Sequence, residues 1–226
     1  MDDTTHDLGY LKQARLIAFD NDGTLYPAGT DVARVVLIAH REFVKERGLA
    51  VPTPSMAMVN HLLGADASHF YGAMLPDEPV EVQREFEEFC LDYEEEAVKQ
   101  YSALYPGAED LLAELRASGK VLVLISNGSP RYVDQVWASC GYGRWMAAKY
   151  PYGPPEYSSK GERLVQAMEE FGSAAVFVGD RESDRHAAEH AGVPLIGCAY
   201  GYGTPDEIAG AAAIVHNVAE LRALLL

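Results

Sequence analysis

The sequence predicts an α/β fold, an open, doubly wound parallel sheet with a helical segment inserted after its first strand. Three observations predict it. Short runs that are apolar nearly throughout, rather than alternating, recur along the chain, as expected of parallel strands covered on both faces. Segments of helical period separate the later runs. One long interval, from about Ala28 to Tyr105, contains helical stretches and no convincing strand, and it is too long to be a single crossover.

In chain order, "RLIAFD" (15–20) reads as the first strand and runs straight into Asp20-Asn21-Asp22-Gly23-Thr24. Within the interval, helical stretches are "DVARVVLIAHREFVKERG" (31–48), a run from Thr53-Pro54 to about Leu75, and "VEVQREFEEFCLDYEEEAVKQY" (80–101), with "MLPDEPVE" as a turn. Phe86, Phe89 and Tyr93 recur at helical spacing and predict an inward face, and the acidic run around them predicts a solvated one. "GAEDLLAELRASG" (107–119) places Leu111, Leu112 and Leu115 on one face and closes at Gly119. "KVLVLISN" (120–127) is the next strand. "SSKGERLVQAMEEFG" (158–172) opens with Ser159 and Glu162 at the spacing of a capping box and closes at Gly172. "AAVFVGD" (174–180), "VPLIGCAY" (193–200) and "AAIVHNV" (212–218) complete the strands. "TPDEIAG" (204–210) predicts a further helix, with Thr204 as N-cap, Pro205 at the first helical position and Glu207 at the third. The expected division is a core of residues 1–27 and 106–226, and a helical cap, 28–105, placed over the strand ends.

Composition limits the partners. Lys and Arg total 18 against 34 for Asp and Glu, a formal charge of -16 in 226 residues. Such a field repels phosphodiester backbones and anionic lipid surfaces, so neither a nucleic acid polymer nor a membrane is expected as partner. A small anionic substrate would need a cation or a local cluster of donors. Cys90, Cys140 and Cys198 lie far apart and form no Cys-x-x-Cys pair, which reads as reduced, buried thiols in a cytoplasmic protein. The first residues show no targeting signal, and no segment approaches the ~20 apolar residues that span a bilayer.

In doubly wound sheets the ligand sits beyond the carboxyl ends of the strands. There the sequence concentrates polar chemistry: Asp20, Asp22 and Thr24 after the first strand, Ser126, Asn127 and Gly128 after the second, and Gly179, Asp180 and Asp184 after "AAVFVGD". Lys160 opens a helix between the last two, where a lysine is unfavourable with the helix dipole and another purpose is indicated. Taken singly these residues read as turn formers or caps. Lys149 is the substitute candidate for the lysine. His186 and His190, spaced i and i+4, have no third metal ligand nearby and read as a helix face. Arg131, Tyr132 and Arg181 lie close to these segments without an assigned role.

Four of these segments, "DNDGT" (20–24), "ISN" (125–127), Lys160 and "GDRESD" (179–184), occur in the order and with the spacing of the four motifs of the haloacid dehalogenase superfamily. The chain resembles its phosphatases, in particular the phosphoglycolate phosphatase-like branch with an α-helical cap, over nearly its whole length. The resemblance implies a Rossmann-like core and a Mg²⁺-dependent phosphatase acting on a small-molecule phosphate monoester. It implies that Asp20 is the nucleophile that becomes an aspartyl-phosphate and Asp22 the general acid and base. Asp20, the Asp22 backbone carbonyl and Asp180 would bind Mg²⁺, and Asp184 would orient metal waters or Lys160. Ser126, Asn127 through its amide, and Lys160 would hold phosphate oxygens together with Asp20; Thr24 is placed in the same set and fixes the turn after Gly23. Asn21 stands where the family has an apolar residue. A β-phosphoglucomutase-type phosphotransferase, a nucleotidase or pyrophosphatase of the same family, and a non-enzymatic phosphate- or partner-binding protein on this scaffold are the alternatives. Asp22 argues against a dehalogenase, and Thr24, where phosphotransferases often have Val, favours hydrolysis.

Overall fold

The computed structural model of the protein describes residues 8–154, 158–172 and 174–226. The reading of the extreme N-terminus therefore lies in part outside the described residues. Six parallel strands form one sheet, β1 (Leu16–Phe19), β2 (Val121–Ile125), β3 (Ala148–Tyr150), β4 (Ala175–Gly179), β5 (Leu195–Cys198) and β6 (Ala213–Val215), in the order β3-β2-β1-β4-β5-β6. The register sets Leu16 beside both Val121 and Ala175, so β1 is central. Five of the strands are the apolar runs read from the sequence. The sixth, β3, is a three-residue edge strand carrying the half-buried Lys149, too short and too polar to produce an apolar run.

Alternate residues of the central strands feed two cores. Ile17, Phe19, Leu122, Leu124, Val176 and Val178 pack on one face, with α5 (Ala108–Ala117), α6 (Pro130–Ser139) and α9 (Val218–Leu225). Leu16, Ala18, Val123, Ile125 and Phe177 pack on the other, against Leu164 and Ala167 of α7 (Lys160–Phe171) and Ala187 and Ala188 of α8 (Glu182–Ala191). Coverage on both faces is the physical reason for the uniform apolarity of the runs. The capping box at Ser159 and Glu162 forms as its spacing predicts.

Between β1 and α5 come four helices, α1 (Gly29–Arg47), α2 (Met56–Leu62), α3 (Ala67–Met74) and α4 (Val80–Gln100). The run predicted from 53 to 75 is two helices because Ser55 and Asp66 each cap a new start and Gly64 bends the chain between them. Phe86 is fully buried against Phe43, ring centroids 5.3 Å apart, while Phe89 and Tyr93 are half-buried beside it. These helices touch the strand ends directly. The Ala67 N–H donates to the Asn127 carbonyl at 3.1 Å, the Asn127 amide to the Gly64 carbonyl at 3.1 Å, and Arg181 to the carbonyls of Leu63 and His61.

One predicted helix is absent. Residues 205–210 form successive turns, although the Thr204 N–H does reach the Glu207 carboxylate at 3.1 Å. The segment is too short for a nucleus of helix to repay its ordering. The other oxygen of Glu207 accepts from Arg181 Nε (2.7 Å) and the Glu182 N–H (3.2 Å), which ties the segment to the start of α8.

Candidate active site

Asp20 follows β1 directly, and its N–H still donates to the Val178 carbonyl at 2.9 Å, which fixes the carboxylate at the point where the strand order turns. The next residues close a tight loop, in which the Asn21 carbonyl accepts from the backbone of Thr24, Leu25 and Tyr26. Gly23 is required there. Its φ is +89°, and a Cβ would stand 2.4 Å from Asp180 Oδ2. Asn21 itself is fully buried, accepting from the Tyr142 hydroxyl (2.9 Å) and donating to Asp22 Oδ1 (3.0 Å), so its polar side chain is built into the loop.

Asp20, Asp180 and Asp184 offer one oxygen each within 4.8 Å of one another, all three buried. Lys160 Nζ joins two of them, at 2.6 Å from Asp20 Oδ1 and 2.6 Å from Asp184 Oδ1. The other Asp184 oxygen accepts the N–H groups of Asp180 and Arg181, both at 2.9 Å. Asp180 is held by the N–H groups of Tyr202 (2.6 Å) and Gly203 (3.3 Å) and by the Thr24 hydroxyl (3.4 Å). Close approach explains Gly203: a Cβ would fall 1.8 Å from the Asp180 carbonyl oxygen.

Three carboxylates thus face a single ammonium in a dry place. Burial pushes the Asp20 carboxyl well up despite the Lys160 charge, and burial together with Asp184 pushes Asp180 up to about 7. Burial lowers Lys160, but Asp184 and Asp20 outweigh it and keep the ammonium charged. Asp20 Oδ2 is buried with no hydrogen-bond partner, and among the described residues no backbone N–H donates to the Asp22 carbonyl. An oxygen-only set with unfilled lone pairs and an excess of negative charge fits a hard divalent cation.

A cavity of about 50 Å³ lies between these strand ends and the helical insertion. Asp20, Asp22, Ser126 and Asn127 line it, with Leu63, Phe70 and Tyr71 from the insertion. Thr24 and Lys160, expected at the phosphate, do not line it, because their side chains are committed to Asp180 and to the Asp20–Asp184 pair. Asp22 Oδ1 accepts from the Tyr132 hydroxyl at 2.6 Å, and burial raises its carboxyl against that bond. The Ser126 hydroxyl accepts from the Gly128 N–H at 3.0 Å, which leaves its own proton to donate.

Arg163, also buried, was not singled out by sequence. It binds the carbonyls of Ser126 and Tyr150 and the Asn127 side chain (2.7 Å), and so fixes the loop after β2. Its signal was its position three residues after Lys160, on the same helix face. Lys149 lies elsewhere, paired with Asp134 over the Trp137 ring. His186 is exposed, and neither it nor His190 belongs to a metal-type cluster among the described residues.

The acidic run of α4 is not uniformly wet. Glu94 is 2% exposed, accepts from the Tyr71 hydroxyl (3.1 Å) and Cys90 Sγ (3.4 Å), and is pushed by burial up to about 7. In the unfolded chain it titrates near its ordinary 4.5. Between these values the folded protein retains a proton that the unfolded chain has released, so stability falls as pH rises through that window. At about 1.4 kcal/mol per pKa unit the loss amounts to at most ~3 kcal/mol. Glu94→Gln is therefore expected to match the parent near pH 4 and to exceed it by about 1–3 kcal/mol at pH 8, as measured by urea unfolding. An equal difference at both pH values would refute this assignment.

Residues 14–192 match the haloacid dehalogenase-like hydrolase family. Phosphoglycolate phosphatase of Yersinia pseudotuberculosis is 30% identical over 215 residues, 88% of this chain and 87% of that one. Its namesake from Vibrio cholerae is 26% identical over 213 residues, 89% and 91% of the two chains. The crystal structure of a predicted phosphoglycolate phosphatase from Haemophilus somnus superposes with a TM-score of 0.77 at 21% identity, covering 95% of this chain and 99% of that one. The acids gathered at the β1–β4 switch point, the four ordered motifs and a match over most of the length agree, and the chain belongs to the haloacid dehalogenase-like hydrolase family.

Proposed function

We propose that this protein is a Mg²⁺-dependent phosphatase that hydrolyses a small-molecule phosphate monoester through an aspartyl-phosphate on Asp20, with residues 28–105 as a cap over the site. The observation that carries the reading is the paired placement of Asp20 and Asp22. Both line one small cavity, one with a buried carboxylate oxygen that no group among the described residues satisfies, the other held by Tyr132. The relatives named phosphatases support the reaction class.

The residues assign the steps. Asp20 attacks phosphorus, the phosphorus–ester oxygen bond breaks, and Asp22 gives its proton to the departing alkoxide. Water then attacks the aspartyl-phosphate while Asp22 takes back a proton, releasing phosphate and restoring the Asp20 carboxylate. Burial raises the Asp22 carboxyl, the direction that favours keeping the proton the first step needs. The Ser126 hydroxyl and the Asn127 N–H would steady the phosphoryl oxygens at the cavity wall, and Lys160 would hold Asp20 in line. Asp20, Asp180 and the Asp22 carbonyl would hold Mg²⁺, which supplies neutralisation between the nucleophile and the anionic ester. Asp184 would orient this set from behind, through Lys160 and the Asp180 N–H.

Three free, buried cysteines support a reducing, cytoplasmic setting. Among the described residues no helix is long and apolar enough to cross a membrane. The test is hydrolysis of acetyl phosphate and p-nitrophenyl phosphate with Mg²⁺. Turnover is expected to cease on chelation and return when Mg²⁺ is restored. Turnover unaffected by chelation would overturn the metal assignment.

A further inference from the structure

The cavity contains a charged group that this chemistry does not use. Glu94 lines it beside Asp20 and Asp22. Its two hydrogen bonds, from Tyr71 and Cys90, both end on Oε1, and among the described residues no donor reaches Oε2. The cap's wall is apolar at Val32, Leu63 and Phe70, the Tyr71 hydroxyl is committed to Glu94, and the described lining residues include no Arg, Lys or His. A volume of about 50 Å³ accommodates only a few water-sized groups, so the alcohol carried by the phosphate is small.

At pH 8, above the value of about 7 to which burial pushes Glu94, an alcohol ending in a carboxylate would place a second anion against it, with no cation among the described lining residues to receive it. Like charges set together in a desolvated site reject a ligand strongly. A hydroxyl or ammonium would instead give Oε2 the donor it lacks, and a buried polar group that needs its partner discriminates well.

Resting on the phosphatase reading above, we infer that the substrate is a small phosphate monoester whose alcohol bears a hydroxyl or an ammonium group and no carboxylate, and that Glu94 selects it. In this the chain departs from the relatives named for phosphoglycolate.

Three two-carbon esters of nearly equal size test the inference with the Mg²⁺-loaded enzyme at pH 8, where Glu94 is ionised: 2-hydroxyethyl phosphate, 2-aminoethyl phosphate and 2-phosphoglycolate. Expected kcat/KM for the first two exceeds that for phosphoglycolate by about tenfold or more. Glu94→Gln is expected to erase most of that ratio, chiefly by lowering the aminoethyl ester and raising phosphoglycolate. Tyr71→Phe removes the neighbouring hydroxyl, keeps the carboxylate, and is expected to preserve the order of the three. Phosphoglycolate leading in the parent enzyme, or a ratio that Glu94→Gln leaves unchanged, overturns the selectivity while leaving the phosphatase intact. Failure to turn over any of the three, or acetyl phosphate, overturns both readings.

Discussion

Asp20→Asn is expected to abolish phosphate-ester turnover, by about 10⁴-fold or more, in a protein no less stable than its parent. The two halves of that expectation have one cause. Asp20 carries a buried oxygen with no partner, and burial holds its carboxyl well above the usual range. The ionised form therefore opposes folding in the metal-free protein, and a neutral amide removes the penalty. The amide oxygen can still accept from Lys160, as Asp20 Oδ1 does at 2.6 Å. An amide is nevertheless no nucleophile toward phosphorus, so the covalent step is lost. Turnover assayed with excess Mg²⁺, beside thermal melts of the chelated protein, separates chemistry from folding. Residual turnover within tenfold of the parent would remove Asp20 from the nucleophilic role.

The fold was legible where physics leaves a strong pattern. Strands buried on both faces must be apolar throughout, so β1, β2, β4 and β5 stood out, the edge strand β6 was apolar although Ile214 is exposed, and Ser159 with Glu162 announced α7. The edge strand β3 left no apolar run because Lys149 stands at the centre of its three residues. The segment 204–210 misled because Glu207 takes the capping bond from Thr204 on one oxygen and binds Arg181 on the other, so the capping signal is met although turns rather than a helix follow it.

At the site, the acids following the strands were found because four such segments occur in one order along the chain; singly, Asp20 or Asp180 reads as a turn former or a cap. The residues that hold them were harder to see. Tyr132 and Arg163 act through helices whose docking is a property of the whole sheet. Glu94 hid among many glutamates, yet a signal existed. It shares an apolar stripe with Cys90, Leu91, Ala97 and Val98, all buried, and a carboxylate on such a stripe has to meet either a partner or a ligand. Read for charge alone, α4 looks wet; read for the face each residue takes, it points Glu94 into the cavity.

Lys160→Met is the second large expected effect, and here stability and chemistry fall together. In the metal-free protein Lys160 is the ammonium that bridges Asp20 and Asp184, its side chain 5% exposed. Removing one partner of a buried ion pair leaves the others uncompensated and costs about 3–5 kcal/mol. The loss should grow with pH. Burial already raises the Asp20 carboxyl, and without the ammonium it rises further, so lowering the pH lets a proton neutralise it and shrinks the deficit, whereas raising the pH increases the cost of ionising it unaided. Urea unfolding of chelated parent and variant at pH 5 and pH 8 measures this. A deficit below about 1 kcal/mol at pH 8, or one that is the same at both, would show that the lysine does not neutralise the pair. Turnover with Mg²⁺ is expected to fall by about 10²-fold or more, because the nucleophile loses the contact that fixes its direction. If folding weakens as described while kcat stays at the parent's level, Lys160 supports the fold alone and the alignment of Asp20 must come from elsewhere in the site.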